Sequence, residues 1–205
     1  MNSREQILSR VRAALEPLKE RAPLPDWDAE LVHMRATQPA VDLVAQFSER
    51  LKAVNGTPLR SIAELLKLLC EKGWKRGYCD PAIWPKLRVS FGDDFKVETK
   101  FDRTRVDDYD FGITVATAGI AETGTIVLSD TGTSSRLAAL APWVHIAILD
   151  PKKIHPDIGT ALAAMPKDPN VIWVTGPSKT ADIEGILIEG VHGPGVQVAL
   201  LIESE

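Results

Sequence analysis

The chain is poor in the patterns that bring ready-made chemistry. Only two of its 205 residues are cysteines, Cys70 and Cys79, and they do not form a CxxC pair. That scarcity argues against a disulfide framework and against a zinc or iron–sulfur site built by this chain alone. The four histidines show no HExxH or HxH spacing, so no metal site is expected. There is no GxGxxG fingerprint, which disfavours nicotinamide chemistry within the chain, and no GxxxxGK[ST] phosphate loop. Long apolar runs are missing too: VHIAIL (144–149) and VQVALLI (196–202) are far too short to span a bilayer. The opening MNSREQILSR lacks an apolar signal core, so a cytoplasmic location is expected. A net charge of −4 supplies no field that would draw nucleic acid or an anionic membrane.

What is present reads as one ordinary globular domain with an appendage, 44% apolar and 25% charged. The expected division is an N-terminal helix and linker arm over 1–35 and an α/β domain over 36–205. Ser3 and Gln6 make a capping-box pattern, and Ile7, Val11, Ala14, Leu15 and Leu18 recur at helical spacing, predicting a helix over 3–18. ERAPLPDWDAE (20–30) then breaks the pattern. A second helix is predicted over 40–54, with Gly56 as a left-handed cap, and a third from the Ser61–Glu64 box to Gly73.

After residue 110 the rhythm changes. FGITVAT (111–117), GTIVLS (124–129), VHIAIL, VIWVT (171–175) and VQVALLI read as strands. Helix-compatible pieces lie between them at 134–141 and 155–165. Near-continuous apolar strands alternating with helices predict a mostly parallel sheet with helices on both faces. ILIEG (186–190) fits either a strand or the end of a short helix. The five tryptophans flank apolar runs and read as packing residues.

Ligands in such sheets gather at the carboxyl ends of strands, which directs attention to three loops. AGIAETGT (118–125) sets Glu122 in a glycine-punctuated turn, as a general base or nucleophile or only a turn cap, beside Thr123 and Gly124. SDTGTSSRL (129–137) opens a helix, where Ser134 and Arg136 suit an anion, or where a serine merely caps the helix. TGPSKTADIEGILIEGVHGPG (175–195) gathers Gly176, Ser178, Thr180, Asp182, Glu184, His192 and Gly193 between two turns. Ser178 lacks the GxSxG elbow, so a hydrolase triad is disfavoured. Thr180 and Asp182 fit helix caps as well as ligand contacts, and His192 fits a general base near neutral pH or a turn residue. GDDF (92–95) and TRVDDYD (104–110), with five aspartates, read as a solvated acidic loop region.

GITVATAGIAETGTIVL (112–128) followed by WVTGPSKTADIEGILIEGVHGPGVQVALL (173–201) resembles the LUD-domain family, and within it the lactate-utilisation protein C (YkgG-like) group. The resemblance covers 36–205. It implies a fold similar to the NagB/RpiA/CoA-transferase-like group. It also implies a part in oxidising L-lactate to pyruvate alongside two iron–sulfur partner proteins, this chain binding no cofactor and carrying no cluster itself. The family-pattern positions are Glu122, Thr123, Gly124, Gly176, Pro177, Ser178, Thr180, Asp182, Glu184, His192 and Gly193, with Lys179 where many relatives carry arginine. Catalytic roles are expected for Glu122, His192 and Asp182. Ligand contacts are expected from Thr123, Gly124, Ser134, Arg136, Gly176, Ser178, Thr180, Glu184 and Gly193. His192 as base and Arg136 as carboxylate clamp would suit a 2-hydroxy acid. Two alternatives stand beside this: a binding or assembly module without chemistry, and a CoA-, acyl- or sugar-phosphate-handling enzyme using Glu122, the last by analogy of fold alone.

Overall fold

The computed structural model describes residues 3–17, 42–130, 132–165, 167–168, 170–181 and 186–203. The chain divides into two units, Met1–Pro39 and Ala40–Glu205. In the first, helix α1 runs Ser3–Leu15.

The second unit opens with α2, Leu43–Ala53, where the Asp42 carboxylate accepts the amides of Val44 and Ala45 at 2.9 and 3.0 Å. The predicted left-handed cap falls one residue earlier than expected. Asn55 takes it, at φ 67°, and Gly56 is wanted for closeness, since a Cβ there would lie 2.3 Å from Leu51 Cδ1. α3, Ile62–Lys72, starts and stops as its sequence predicts. The Ser61 hydroxyl accepts the Glu64 amide, the Glu64 carboxylate reaches back to the Arg60 amide, and Gly73 ends the helix at φ 72°.

Six strands, β1 (Thr57–Leu59), β2 (Arg76–Cys79), β3 (Lys96–Glu98), β4 (Phe111–Val115), β7 (Val144–Leu149) and β12 (Val196–Leu201), form the main sheet. Their order is β1-β12-β7-β4-β2-β3 and every pair is parallel. One face carries Phe111, Ile113, Ile146, Ile148, Val198 and Leu200 against Leu65 and Leu69 of α3 and Leu87 of α4 (Trp84–Arg88). On the other face Ala147, Leu149, Ala199 and Leu201 meet Phe47 and Leu51 of α2. This second face is covered by more than helices. Strands β5 (Ala118–Ile120), β6 (Thr125–Ser129), β8 (Ile154–His155) and β9 (Val171–Val174) make a second sheet, ordered β8-β5-β6-β9, which sends Ile126 and Leu128 into the same core. Its β5–β6 and β6–β9 pairs are antiparallel. Helix α6 (Ile158–Ala164) packs Ala161 against Ala118, Ile120 and Val127.

The last two strands, β10 (Lys179–Ala181) and β11 (Leu187–Glu189), pair antiparallel, which assigns ILIEG to a strand. The acidic stretch before β4 is more structured than a solvated loop. Arg105 holds the carboxylates of Glu98, Asp102 and Asp108 at 2.8, 3.0 and 3.7 Å, because a guanidinium offers donors along several edges. Asp110 accepts the amides of Lys75 and Arg76.

Candidate functional site

The short helix α5, Arg136–Leu140, sits directly on β4. It can do so because Gly112 lacks a side chain; a Cβ there would lie 1.9 Å from the Ala138 carbonyl oxygen. This close approach brings the 132–136 loop over the carboxyl end of β2. Tyr78 shares the Gly112 face of the sheet, since the two are register partners, and Asp80 follows the strand with its amide donating to the Ile113 carbonyl at 2.9 Å.

A cavity of about 750 Å³ opens at this place. Lys100, Arg103 and Arg136 line it with positive charge, Ser134 and Ser135 with hydroxyls, and Tyr78 and Phe101 with aromatic rings. Phe101 stacks on Tyr109 at 4.9 Å and takes the Tyr78 ring edge-on at 5.5 Å, so this wall is fixed by packing. Arg136 is oriented by its Nε, 2.6 Å from the Asp130 carboxylate. The helix cap expected in this loop is Ser135, the N-cap of α5, while Ser134 and Arg136 line the cavity.

The anchor beneath the cavity is Asp80, which is buried at 3% exposure. Its carboxylate accepts the Ala82 amide at 2.9 Å, the Ser134 amide at 3.1 Å and the Ser134 hydroxyl at 2.6 Å. Ser134 Oγ in turn contacts the Tyr78 hydroxyl. A carboxylate only accepts, so the Ser134 proton points to Asp80 and the Tyr78 proton points to Ser134. Burial pushes the Tyr78 phenol above its ordinary pKa, with the nearby Asp80 charge adding to the effect and the Ser134 bond opposing it. The phenol therefore keeps its proton at neutral pH.

A second cavity, of about 370 Å³, adjoins the first, and Leu140 and Ile172 line both. Gly176, Ser178, His192 and Gly193 meet here, as their clustering in the sequence suggests. The segment folds back on itself: the Ser178 amide donates to the Pro194 carbonyl at 2.9 Å, and the Gly190 amide to the Ser178 carbonyl at 3.0 Å. His192 is exposed at the rim. Gln197 forms part of the base, and its Oε1 lies 2.8 Å from Nδ1 of the fully buried His145, whose Nε2 lies 2.9 Å from the Thr114 hydroxyl. An amide oxygen cannot donate, so His145 carries its proton on Nδ1 and accepts from Thr114. Burial pushes the pKa of this imidazole down to about 4, against the opposing Gln197 bond.

The remaining expected residues fall elsewhere. Glu122 stands exposed in the β5–β6 hairpin turn, its amide bonded to the Pro156 carbonyl, and its side chain lines neither cavity. Gly124 closes that turn at φ 69° against the backbone of Arg50 and Leu51. Thr123 joins a hydroxyl chain through Thr125 (2.6 Å) to Thr175 (2.8 Å), which reaches the second cavity's wall. Thr180 is not a helix cap: it lies in β10, opposite Ile188. Asp182 and Glu184 lie outside the described residues. Trp143 and Trp173 are 49% and 40% exposed, so these two are not core residues, and Trp173 borders the second cavity.

Asp80, Tyr78, Lys100 and Arg103 are not singled out by the sequence patterns. The signal that could have found Asp80 is its place directly after a strand, at the edge where ligands collect, followed by Pro81. Among the described residues no group of three or more His, Cys, Asp or Glu is placed to hold a metal ion, and no helix is long and apolar enough to cross a membrane.

Comparison with known proteins agrees with this architecture. Residues 63–202 match the LUD domain model. The chain is 30% identical to the protein NMB1437 of Neisseria meningitidis serogroup B, over 98% of this chain and 94% of that one. It is 36% identical to Lactate utilization protein C of Bacillus licheniformis and 34% to that of Bacillus subtilis, over 48% and 49% of this chain. The matching segment spans 45% of each of those two relatives. A DUF162 family protein from Deinococcus radiodurans shares the fold, with a TM-score of 0.57 at 23% identity over 78% of this chain and 96% of that one. The chain belongs to the LUD domain family.

Proposed function

We propose that this chain serves lactate utilisation as the cluster-free member of a multi-protein cytoplasmic system that oxidises L-lactate to pyruvate, and that it binds an anionic small molecule in the first cavity. Relatives named Lactate utilization protein C support the process. The observation that carries the ligand class is the set of three basic side chains, Lys100, Arg103 and Arg136, lining one cavity at a strand end. A guanidinium clamps a carboxylate through paired charge-assisted hydrogen bonds. Electrons from lactate would pass to two iron–sulfur partner proteins, as the family resemblance implies.

A second reading rests on size. About 750 Å³ is far more than a three-carbon acid fills, which favours a larger anion such as a sugar phosphate. Both readings use the same cations.

The test has two parts. Lactate-dependent reduction of a dye by the purified iron–sulfur partners should require this chain. In thermal unfolding of the chain alone, an anion present at a hundred times its Kd should add about 2.7 kcal/mol of stability. Arg136→Gln should weaken that anion's binding about tenfold, or about 1.4 kcal/mol. Equal dye reduction without the chain would end the lactate reading. Anion binding untouched by Arg136→Gln would end the assignment of the cavity.

A further inference from the structure

A third cavity, of about 420 Å³, opens at the opposite end of the main sheet. Strands β4, β7 and β12 begin there in register, Phe111 beside Val144 and Val144 beside Val196. The cavity is lined by residues that lie just before them, among them Tyr109, Trp143 and Gly193. Ligands of parallel sheets collect at the carboxyl ends of strands, so a substrate is not expected at this amino-terminal end. Trp143 nonetheless stands open. Its indole rests on Gly190 and Gly195, where a Cβ would come within 2.4 Å of the ring. One side of the ring is thus bedded on bare backbone, and the residue, half exposed, offers the rest to the cavity. The turn at 103–108, fixed by Arg105, adds Asp107 to the same lining. Glu98, Asp102 and Asp108 share Arg105, and Asp110 accepts two backbone amides. Asp107 is exposed and makes no ion pair among the described residues. Leu140 and Val191, both exposed, border the cavity as well.

We infer that this third cavity docks a partner protein through an exposed arginine flanked by apolar residues, the guanidinium lying against the Trp143 indole and pairing with the Asp107 carboxylate. Charge complementarity carries the choice. An unpaired carboxylate and the negative face of an indole both attract a cation and repel an anion. A guanidinium stacks on an aromatic ring and bonds a carboxylate at the same time, whereas an ammonium acts as a point charge. The apolar flanks follow from Leu140 and Val191, which stay in water unless a chain longer than one side chain covers them. A free organic cation would leave both uncovered, and a single indole does not enclose it as an aromatic cage does. Gly190 and Gly195 are positioning residues, since their bare backbone sets the ring in place. The inference stands apart from the anion site, because none of the three basic side chains of the first cavity lines this one.

The experiment is an NMR titration of the full chain, labelled with nitrogen-15 at its tryptophan indoles, with a capped pentapeptide carrying arginine between two leucines. The Trp143 resonance is identified by its loss in Trp143→Phe. Three further probes are titrated alongside: the same peptide with citrulline for arginine, the same peptide with glycine for both leucines, and methylguanidinium. The expected result is a saturable shift of the Trp143 indole, with the arginine peptide binding about tenfold tighter than the citrulline peptide. The glycine-flanked peptide and methylguanidinium should both bind more weakly than the leucine-flanked one. Asp107→Asn should reduce arginine-peptide affinity about fivefold and leave citrulline-peptide affinity unchanged, a split that a loss of folding would not produce. Because Asp107 is exposed, thermal unfolding of that variant should match the parent. Equal affinity for the citrulline peptide, or binding indifferent to Asp107→Asn, would overturn the assignment of the charge. Methylguanidinium binding as tightly as the leucine-flanked peptide would replace the protein partner with a small cation. A Trp143 resonance unmoved by every probe would remove the site altogether.

Discussion

The two cavities share Leu140 and Ile172 yet rest on opposite kinds of foundation. Under the first lies a buried carboxylate, Asp80, fed by three donors; under the second lies a buried neutral imidazole, His145, between Thr114 and Gln197. Asp80 imposes a one-way order on the hydroxyls above it. His145 does the same to Gln197, whose oxygen it claims while the side-chain amide turns to the Val198 carbonyl at 3.1 Å. The first foundation holds up basic side chains that suit a ligand. The second holds up two glycines, two prolines and an exposed histidine, and its surroundings are mostly apolar. A dense motif in sequence therefore marks where the backbone is constrained. The charges that would bind a ligand come from scattered positions that only the tertiary fold unites.

The largest expected break in this comparison is Asp80→Ala. It leaves three donors at the cavity floor without their acceptor and should cost about 3–4 kcal/mol in urea unfolding. If the variant unfolds within 1 kcal/mol of the parent, Asp80 is not the anchor described. Acidification should strike the second foundation instead. The imidazole's folded pKa, about 4, lies below its ordinary 6.5, so the unfolded chain takes up the proton first as pH falls. The stability contributed by neutral His145 is complete above pH 6.5 and declines from there to pH 4, by about 3 kcal/mol in all. His145→Gln should flatten that part of the stability profile, and an unchanged slope would refute the assignment. The smallest effect is expected at the rim, where His192→Ala should move stability by less than about 0.5 kcal/mol. A larger loss would make His192 part of the foundation.

Much of the fold is legible in the apolar pattern of the chain. The strands β4, β6, β7, β9 and β12 are near-continuous apolar runs, and such runs announce themselves. What an apolar run does not announce is its neighbour. GTIVLS and VIWVT read like members of the parallel sheet, yet Ile126 pairs antiparallel with Val174 in a second layer. Strand β2 is hidden because KGWKRGYC (72–79) mixes charge and glycine where a buried strand is usually apolar, and Tyr78 and Asp80 are hidden with it. Lys100 and Arg103 resemble ordinary surface charge, and only the packing of Phe101 between Tyr78 and Tyr109 turns that loop toward a cavity. Residues 175–178 and 192–194 are legible as a wall, since the turns there fix the backbone locally. The direction of a proton along Tyr78, Ser134 and Asp80 spans 56 residues and has no local signature.

The missing side chain at Gly112 has a bearing on how this protein can change. Because the Ala138 carbonyl rests against the bare backbone there, α5 lies on the sheet with no side chain between them at that point, and Arg136 inherits its height from that contact. A single methyl group at 112 would lift the helix and deepen the space beneath Arg136. One position behind the cavity thus sets the height of the helix above it, although Gly112 touches none of the space that the helix borders.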